Sequence, residues 1–321
     1  MEISTSLKKR FCNDCNININ IFQEPYFTDR LKLYDKLYGT IEKWSLFLEE
    51  LNKYSYEQDY FEEYNRVKDE AINCIKNSEA YLKFNEEDMN KYLVTHTNLP
   101  SKDIFHPSND NKIFISIDMK KANFSSLQHY GDSIFKSMFA VASTWEDFIS
   151  LFTDNKHIIN SKYIRQVILG NCNPKRHISY EKYLMDKVLD VLLQEDGYSI
   201  NDIVFFSNDE IIINMKCNDD RLRLLKLRNI LERVLSYETD IPFKIELFKL
   251  HKIKGTNGYY KEIYESIKDT KIELKCVDNY MMPFVLRKLN GEDITESDKV
   301  FYHEGLLAKF VETPEIEITK N

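Results

Sequence analysis

The chain has 321 residues, of which 43% are hydrophobic, and its 20 Phe and 20 Tyr can fill a substantial aromatic core. Only 8 Gly and 7 Pro argue against long flexible linkers and against a repeat array. The formal net charge of −8 is unfavourable for nucleic acid, so a nucleic-acid partner would require a local basic surface.

The N-terminal segment, residues 1–26, is polar and contains the sequence Cys12-Asn13-Asp14-Cys15. Two cysteines at this spacing can supply half of a zinc site, but no second such pair follows, so ordinary thiols near a turn are the favoured interpretation. Six cysteines scattered over the chain suit a reducing cytosol. The segment lacks the apolar core of a signal peptide, and no apolar stretch approaches the ~20 residues of a membrane span. We therefore expect a cytoplasmic protein without membrane contact.

Helical periodicity dominates residues 28–94. Apolar side chains recur there at helical spacing, at Leu33, Leu37, Ile41, Trp44, Leu48 and Leu51. Gly39 interrupts this pattern and allows two shorter helices. Because turn-forming residues follow over 97–110, we predict a helical N-terminal region that covers residues 1–105.

The next element is a mostly apolar run, Ile113–Ile117, that ends at the carboxylate of Asp118. Such a run predicts a buried central strand. Strand alternation places the three isoleucines on one face and Phe114, Ser116 and Asp118 on the other. A buried carboxylate needs a partner or a metal ion, whereas one at the end of a strand can face a cleft and stay charged. An Asp that caps the following turn or helix is the competing interpretation.

A second acidic element lies between two further apolar runs. Ile203–Phe206 and Ile211–Ile213 flank the sequence Ser207-Asn208-Asp209-Glu210, and this arrangement predicts a hairpin. An ordinary polar hairpin tip explains these residues when they are considered alone. Two strands that each bring a carboxylate to their end are less expected by chance. If the strands are neighbours, Asp118 and Asp209 converge on one divalent cation such as Mg²⁺.

The clearest basic cluster lies between the two acidic elements and comprises Lys162, Arg165, Lys175, Arg176 and His177. A short predicted helix, Lys162–Leu169, carries the first two, and the others follow a loop from Gly170 to Pro174. Groups of this kind bind triphosphates, but cations also suit a solvated helix end, and both interpretations stay open. Ser179 is then expected to cap a helix over Tyr180–Gln194.

The C-terminal part mixes helical and strand patterns. Residues 219–237 predict a helix with a basic surface that either meets a nucleic-acid backbone or, as the favoured interpretation, is solvated. Residues 242–276 are β-rich, and their lysines interleave with aromatic residues. Two further helices are predicted, over Asp278–Leu289 and Ser297–Val311.

The two acidic elements resemble the metal motifs of the palm domain of nucleic-acid polymerases and related nucleotidyltransferases. Gly170 and Pro174 resemble a loop that precedes a helix in reverse-transcriptase-like palms. The Ser-x-Asp-Glu hairpin is closer to the lesion-bypass polymerases and to the tRNA-His guanylyltransferase family. The resemblance covers about residues 110–250. It implies an α+β protein whose palm-like antiparallel sheet with packed helices, at residues 106–240, follows the helical region and precedes an α/β region at 241–321.

The resemblance also implies a metal-dependent nucleotidyltransferase or polymerase-like enzyme that uses two metal ions, a nucleoside triphosphate and RNA or DNA. Mg²⁺ or Mn²⁺ would bind Asp118 and Asp209, with Glu210 as a third catalytic carboxylate. The implied nucleotide-binding residues are phosphate contacts at Lys120, Lys121, Arg165, Lys175 and Arg176, and sugar contacts at Asn123 and Phe124. Two alternatives stay open: an inactive palm-fold module that binds nucleic acid or protein, and a structural protein with accidentally aligned carboxylates.

Overall fold

A computed structural model of the chain describes residues 3–134, 136–139, 142–194, 198–216 and 219–318. The N-terminal part is helical, as predicted. Its helices are α1 (Thr5–Asp14), α2 (Tyr26–Tyr38), α3 (Thr40–Leu51), α4 (Glu57–Lys76) and α5 (Glu79–Glu86). Gly39 separates α2 from α3 because its left-handed backbone, with φ of 58°, ends the first helix and starts the second.

The central part begins with the predicted strand and contains the predicted hairpin. Strand β1 (Ile113–Met119) is followed by α6 (Ala122–Ser133), α7 (Trp145–Ile149), α8 (Lys156–Asn160), α9 (Lys162–Gly170) and α10 (Pro174–Gln194). The hairpin strands β2 (Ile203–Phe206) and β3 (Glu210–Asn214) then lead to α11 (Arg221–Thr239). The chain continues through β4 (Phe243–Lys252), β5 (Tyr259–Tyr264), β6 (Thr270–Lys275), α12 (Met282–Asn290), β7 (Val300–His303) and β8 (Leu306–Lys309).

One antiparallel sheet organises the described residues, with the strand order β2-β3-β1-β4-β5-β6. Its first four strands and the helices between them follow the split β-α-β-β-α-β arrangement. The predicted α+β class is therefore confirmed. Strand β1 lies at the centre, and Asp118 at its end pairs with Glu210 of β3 on one side and with Lys244 of β4 on the other.

The two faces of β1 follow the predicted alternation. Ile113, Ile115 and Ile117 are buried in the main core, to which α6, α10 and α11 contribute. Phe114 belongs to a smaller apolar cluster on the opposite face, where its ring lies 5.7 Å from that of Phe248. Toward the end of the strand this second face becomes polar, and there it carries Asp118 and, on the neighbouring strand, Glu210.

The N-terminal helices and the sheet share one hydrophobic core. The main cluster runs from Leu7 to Leu286 and is continuous across residues 105 and 240, where the sequence predicts region boundaries. A buried carboxylate, Asp14 at the end of α1, strengthens this connection. Tyr64 Oη of α4 and Ser161 Oγ, at the start of α9, both donate to Asp14 Oδ1, at 3.0 and 2.8 Å. The N-terminal region thus fixes the position of α9.

Two predicted helices differ from the structure. Residues 297–311 were expected to be helical but contain the β7–β8 hairpin, because Glu304 and Gly305 adopt positive φ angles of 47° and 87° and form a two-residue turn. Helix α10 begins at Pro174 rather than after Ser179, since a proline is well tolerated in the first helical turn. No helix in the described ranges combines the length and the apolar composition that a membrane span needs.

Candidate metal and nucleotide site

Asp118 and Asp209 are brought together by the pairing of β1 with β3. The backbone N–H of Met119 donates to the carbonyl of Asp209 at 2.8 Å, so the turn of the hairpin is held against the end of β1. The two acidic elements are therefore neighbours, which is the condition that the sequence interpretation required. Asp118 does not cap the next helix, because the cap position of α6 is Lys121 and no side chain caps it.

The hairpin turn that carries Asp209 is fixed by polar side chains. Ser207 Oγ donates to Asp209 Oδ1 at 2.9 Å and accepts from the backbone N–H of Glu210 at 3.0 Å. Asn208 Nδ2 donates to Glu181 Oε2 of α10 at 2.7 Å. Short polar residues favour such turns because their side chains bond to the nearby backbone. In this turn Ser207 also holds the carboxylate of Asp209 by a hydrogen bond.

The carboxylate of Asp118 is partly buried at the end of β1. Within the described ranges, no hydrogen bond or ion pair involves its side chain. Burial raises its pKa to about 6, and the negative charges of Glu210 and Asp209 act in the same direction. Lys244 opposes this shift, but its ammonium group is 2.5 Å from Glu246. Negative charge at the end of β1 is thus only partly compensated.

A cleft of about 430 Å³ opens beside this carboxylate, within the size range of small-molecule sites. Its wall contains five of the residues that the resemblance implicates, Asp118, Lys121, Asn123, Arg165 and Asp209. Gly170 and Pro174 also border the cleft, as expected for the loop before α10. The wall also contains polar residues that were not among the predicted site residues: Lys162, Gln166, His177, Glu181 and Asn208.

Positive charge enters this cleft from α9. Lys162, Arg165 and Gln166 lie on the helix face that borders the cleft. Arg165 has no side-chain partner within the described part of the chain, and its Nε is buried without a hydrogen bond. Burial lowers the pKa of Arg165, while the nearby Glu146 raises it. Lys121, in contrast, is already paired with Glu146.

The remaining predicted nucleotide contacts lie away from the cleft wall. Lys120 and Lys175 are exposed outside it. The Arg176 guanidinium donates to the backbone carbonyls of Phe84, at 3.0 Å, and of Glu87, where it holds the end of α5. Phe124 is 3% exposed and packs in the core, with its ring 4.5 Å from that of Phe139.

A second, smaller cleft of about 290 Å³ lies on the polar face of the sheet. Asp118 borders both clefts, so it connects them. The wall of this second cleft also carries Ser116, Glu210, Lys244, Glu246, Lys261, Glu273 and Lys275. Ser116 Oγ donates to Glu210 Oε1 at 2.5 Å. The lysines alternate with carboxylates, and the face is therefore mixed in charge.

The donor set of this site suits a cation that shares its ligands with a substrate. The described residues contain no group of three or more His, Cys, Asp or Glu that could hold a metal ion. Asp118 and Asp209 nevertheless supply two carboxylates, and Mg²⁺ commonly binds through one or two carboxylates together with waters and substrate phosphates. Burial raises the pKa of the Cys12 and Cys15 thiols to about 12, and no described group of three or more potential ligands includes this pair.

No family model, curated protein or solved structure matched the chain. Function is therefore inferred from the residues of the two clefts. The sequence alone proposes Asp118, Asp209 and Arg165, which the structure places in the wall of one cleft. It misses the link between Glu181 and Asn208, although Pro174 as a first helical residue would have indicated that α10 starts early enough to carry His177 and Glu181 on one face.

Proposed function

We propose that the chain is a metal-dependent nucleotidyltransferase that acts on nucleic acid. One observation carries the proposal: the cleft beside β1 contains a carboxylate, Asp118, and a guanidinium, Arg165, whose side chains make no hydrogen bond or ion pair within the described residues. Opposite charges that share a cleft but do not pair with each other suit a ligand with both charges. A nucleoside triphosphate with Mg²⁺ or Mn²⁺ is such a ligand.

The carboxylates would hold the cation. Asp118 has a raised pKa because its negative charge is buried beside Glu210 and Asp209, and a cation at this position would relieve that repulsion. Glu210 is directly opposite Asp118 but already accepts a hydrogen bond from Ser116, so we assign it a supporting role. A bound Mg²⁺ would polarise the phosphoryl group and lower the pKa of the attacking hydroxyl.

The triphosphate would occupy the side of the cleft that α9 borders. Arg165 can offer a planar fork to phosphate oxygens, and the exposed Lys162 adds a point charge one helical turn away. Lys121 can contribute only if it exchanges Glu146 for phosphate. Asn123, near the start of α6, presents an amide to the same cleft and is suited to a sugar hydroxyl.

The acceptor strand would lie on the polar face of the sheet. Asp118 borders that face as well as the nucleotide cleft, so an acceptor hydroxyl could meet the triphosphate beside this residue. Lys261 and Lys244 point to the face but are 3.7 and 2.5 Å from Glu246. Strand binding must compete with these pairs, and we expect weak binding that decreases steeply with salt.

An incorporation assay tests this proposal. Single-stranded and primed RNA and DNA oligonucleotides are incubated with labelled ribo- and deoxyribonucleoside triphosphates and Mg²⁺ or Mn²⁺. We expect the wild-type chain and the control Asp293→Asn to add label, and Asp118→Asn and Asp209→Asn to add none. Asp293 serves as the control because it is exposed and has no side-chain partner within the described residues. Undiminished incorporation by Asp118→Asn would refute the site. Binding of nucleotide without any incorporation would instead favour an inactive palm-fold binding module.

A further inference from the structure

His177 is a buried side chain in the wall of the nucleotide cleft. It is the fourth residue of α10 and is 3% exposed. Neither Nδ1 nor Nε2 has a hydrogen-bond partner within the described residues. A buried polar group without a partner costs free energy, whereas an aromatic residue of similar shape would fill this position without that cost. The unused nitrogens therefore indicate a ligand.

Glu181 connects His177 to the turn that carries Asp209. Glu181 is one helical turn after His177 and is also 3% exposed. Its Oε1 lies 3.4 Å from His177 Nδ1, and its Oε2 accepts the 2.7 Å hydrogen bond from Asn208. Asn208 is adjacent in sequence to Asp209, whose carbonyl is bonded to the end of β1. Three side chains thus join one wall of the cleft to the metal-binding turn.

Because Glu181 lies beside Nδ1, Nε2 is the ring nitrogen that is left for a ligand. A carboxylate beside Nδ1 favours the tautomer in which Nδ1 carries the proton. Nε2 is then a hydrogen-bond acceptor. An acceptor suits a hydroxyl or amino group of the nucleoside and does not suit a phosphate oxygen.

We propose that His177 Nε2 accepts a hydrogen bond from the nucleoside part of the bound nucleotide, and that Glu181 and Asn208 are positioning residues that connect this contact to Asp209. This inference rests on the proposed function. It assigns nucleoside recognition to α10 and phosphate recognition to α9. The correct nucleoside would draw His177 toward the ligand and, through Glu181, stabilise the turn in the position that Asp209 needs.

The first test compares binding of two kinds of probe in the presence of Mg²⁺. Dissociation constants are measured for each of the four ribonucleoside triphosphates and for inorganic tripolyphosphate, which has the charge but no nucleoside. We expect His177→Phe to weaken binding of the best nucleoside triphosphate by roughly 2- to 12-fold, the range of one neutral hydrogen bond, and to leave the binding of tripolyphosphate unchanged. His177→Gln keeps a polar group and should recover part of the affinity.

The second test separates positioning from binding. Asn208→Ala removes the bond to Glu181 but leaves His177 in place. We therefore expect it to lower the rate of incorporation at saturating nucleotide by roughly 10-fold or more, with a smaller change in nucleotide affinity. A merely structural role would lower the thermal midpoint without this separation of rate and affinity.

The outcomes distinguish the inference from the function on which it rests. The inference is wrong, and the proposed function stands, if both His177 variants bind nucleoside triphosphate as tightly as the wild type. The same holds if His177→Phe weakens the binding of tripolyphosphate as much as the binding of nucleoside triphosphate. If the wild-type chain binds no nucleoside triphosphate, both are wrong. If His177→Phe does not fold, the binding result for His177→Gln decides.

Discussion

Replacing Asp118 by Asn should make the metal-free protein more stable at alkaline pH. The substitution keeps the shape of the side chain but removes a charge that is partly buried beside Glu210 and Asp209. The pKa of Asp118 rises from 3.8 to about 6 in the folded protein. At pH values between these two, the carboxyl is therefore protonated in the folded state but ionised in the unfolded state. The stability of the wild type therefore carries a penalty that grows as pH rises from about 4 to about 6 and stays constant above.

The size of this penalty follows from the shift. A shift of about two units corresponds to about 3 kcal/mol at 1.36 kcal/mol per unit. Access of solvent to the cleft screens part of it, so we expect Asp118→Asn to gain about 1–3 kcal/mol at pH 8. At pH 4 the wild-type carboxyl is protonated, and the two proteins should be about equally stable.

The assay is urea denaturation at several pH values between 4 and 8, with a chelator present. The difference between the two free energies of unfolding cancels the other titrating groups, which both proteins share. The exposed substitution Asp293→Asn is the matched control and should show no such pH-dependent difference. Saturating Mg²⁺ at pH 8 should then stabilise the wild type more than Asp118→Asn. Parallel stability curves over the whole range, or a loss of stability in Asp118→Asn at pH 8, would refute the electrostatic reasoning.

Three further predictions follow from other contacts. Arg165→Ala should weaken triphosphate binding by about 1.5–3 kcal/mol, whereas Lys175→Ala, outside the cleft wall, should not weaken it. If calorimetry gives the same triphosphate affinity for Arg165→Ala as for the wild type, Arg165 has only a structural role. Asp298→Ala should lower the free energy of unfolding in urea by about 3 kcal/mol, because it leaves the buried Arg30, 3.2 Å away, without its carboxylate; a loss below about 1 kcal/mol would contradict this. Gly255→Ala should detach the segment near Glu315, because an added Cβ would lie 2.1 Å from the Glu315 carbonyl oxygen and Gly255 has a φ of +80°. Amide hydrogen exchange at Lys254, which pairs with Glu317, should then become faster, and an unchanged exchange rate would contradict this prediction.

The parts of the site that lie on one strand or one turn were predictable from sequence. Alternation in Ile113–Ile117 assigns the faces of β1, because strand side chains repeat every two residues. Ser207 to Glu210 between two apolar runs predicts the hairpin, because short polar residues favour turns. The convergence of Asp118 and Asp209 required one further assumption, that the strands are neighbours, and the sheet confirms that assumption.

The features that the sequence did not reveal depend on contacts between distant segments. Arg176 has the composition of a phosphate contact, but its guanidinium is used by the backbone of Phe84 and Glu87, about ninety positions earlier. Phe124 follows the metal strand as a sugar contact would, yet Phe139 packs against it in the core. No local pattern encodes such contacts, since periodicity reports only which face of an element is apolar.

The most direct measurement is the position of a bound cation. Crystals of the protein with Mn²⁺ and a non-hydrolysable nucleoside triphosphate would locate the ion by its anomalous scattering. We expect Mn²⁺ within about 2.0–2.4 Å of carboxylate oxygens of both Asp118 and Asp209 and of a phosphate oxygen, with Arg165 on the triphosphate. A nucleotide bound elsewhere, or an ion that contacts neither carboxylate, would contradict the assignment of this cleft as a metal–nucleotide site.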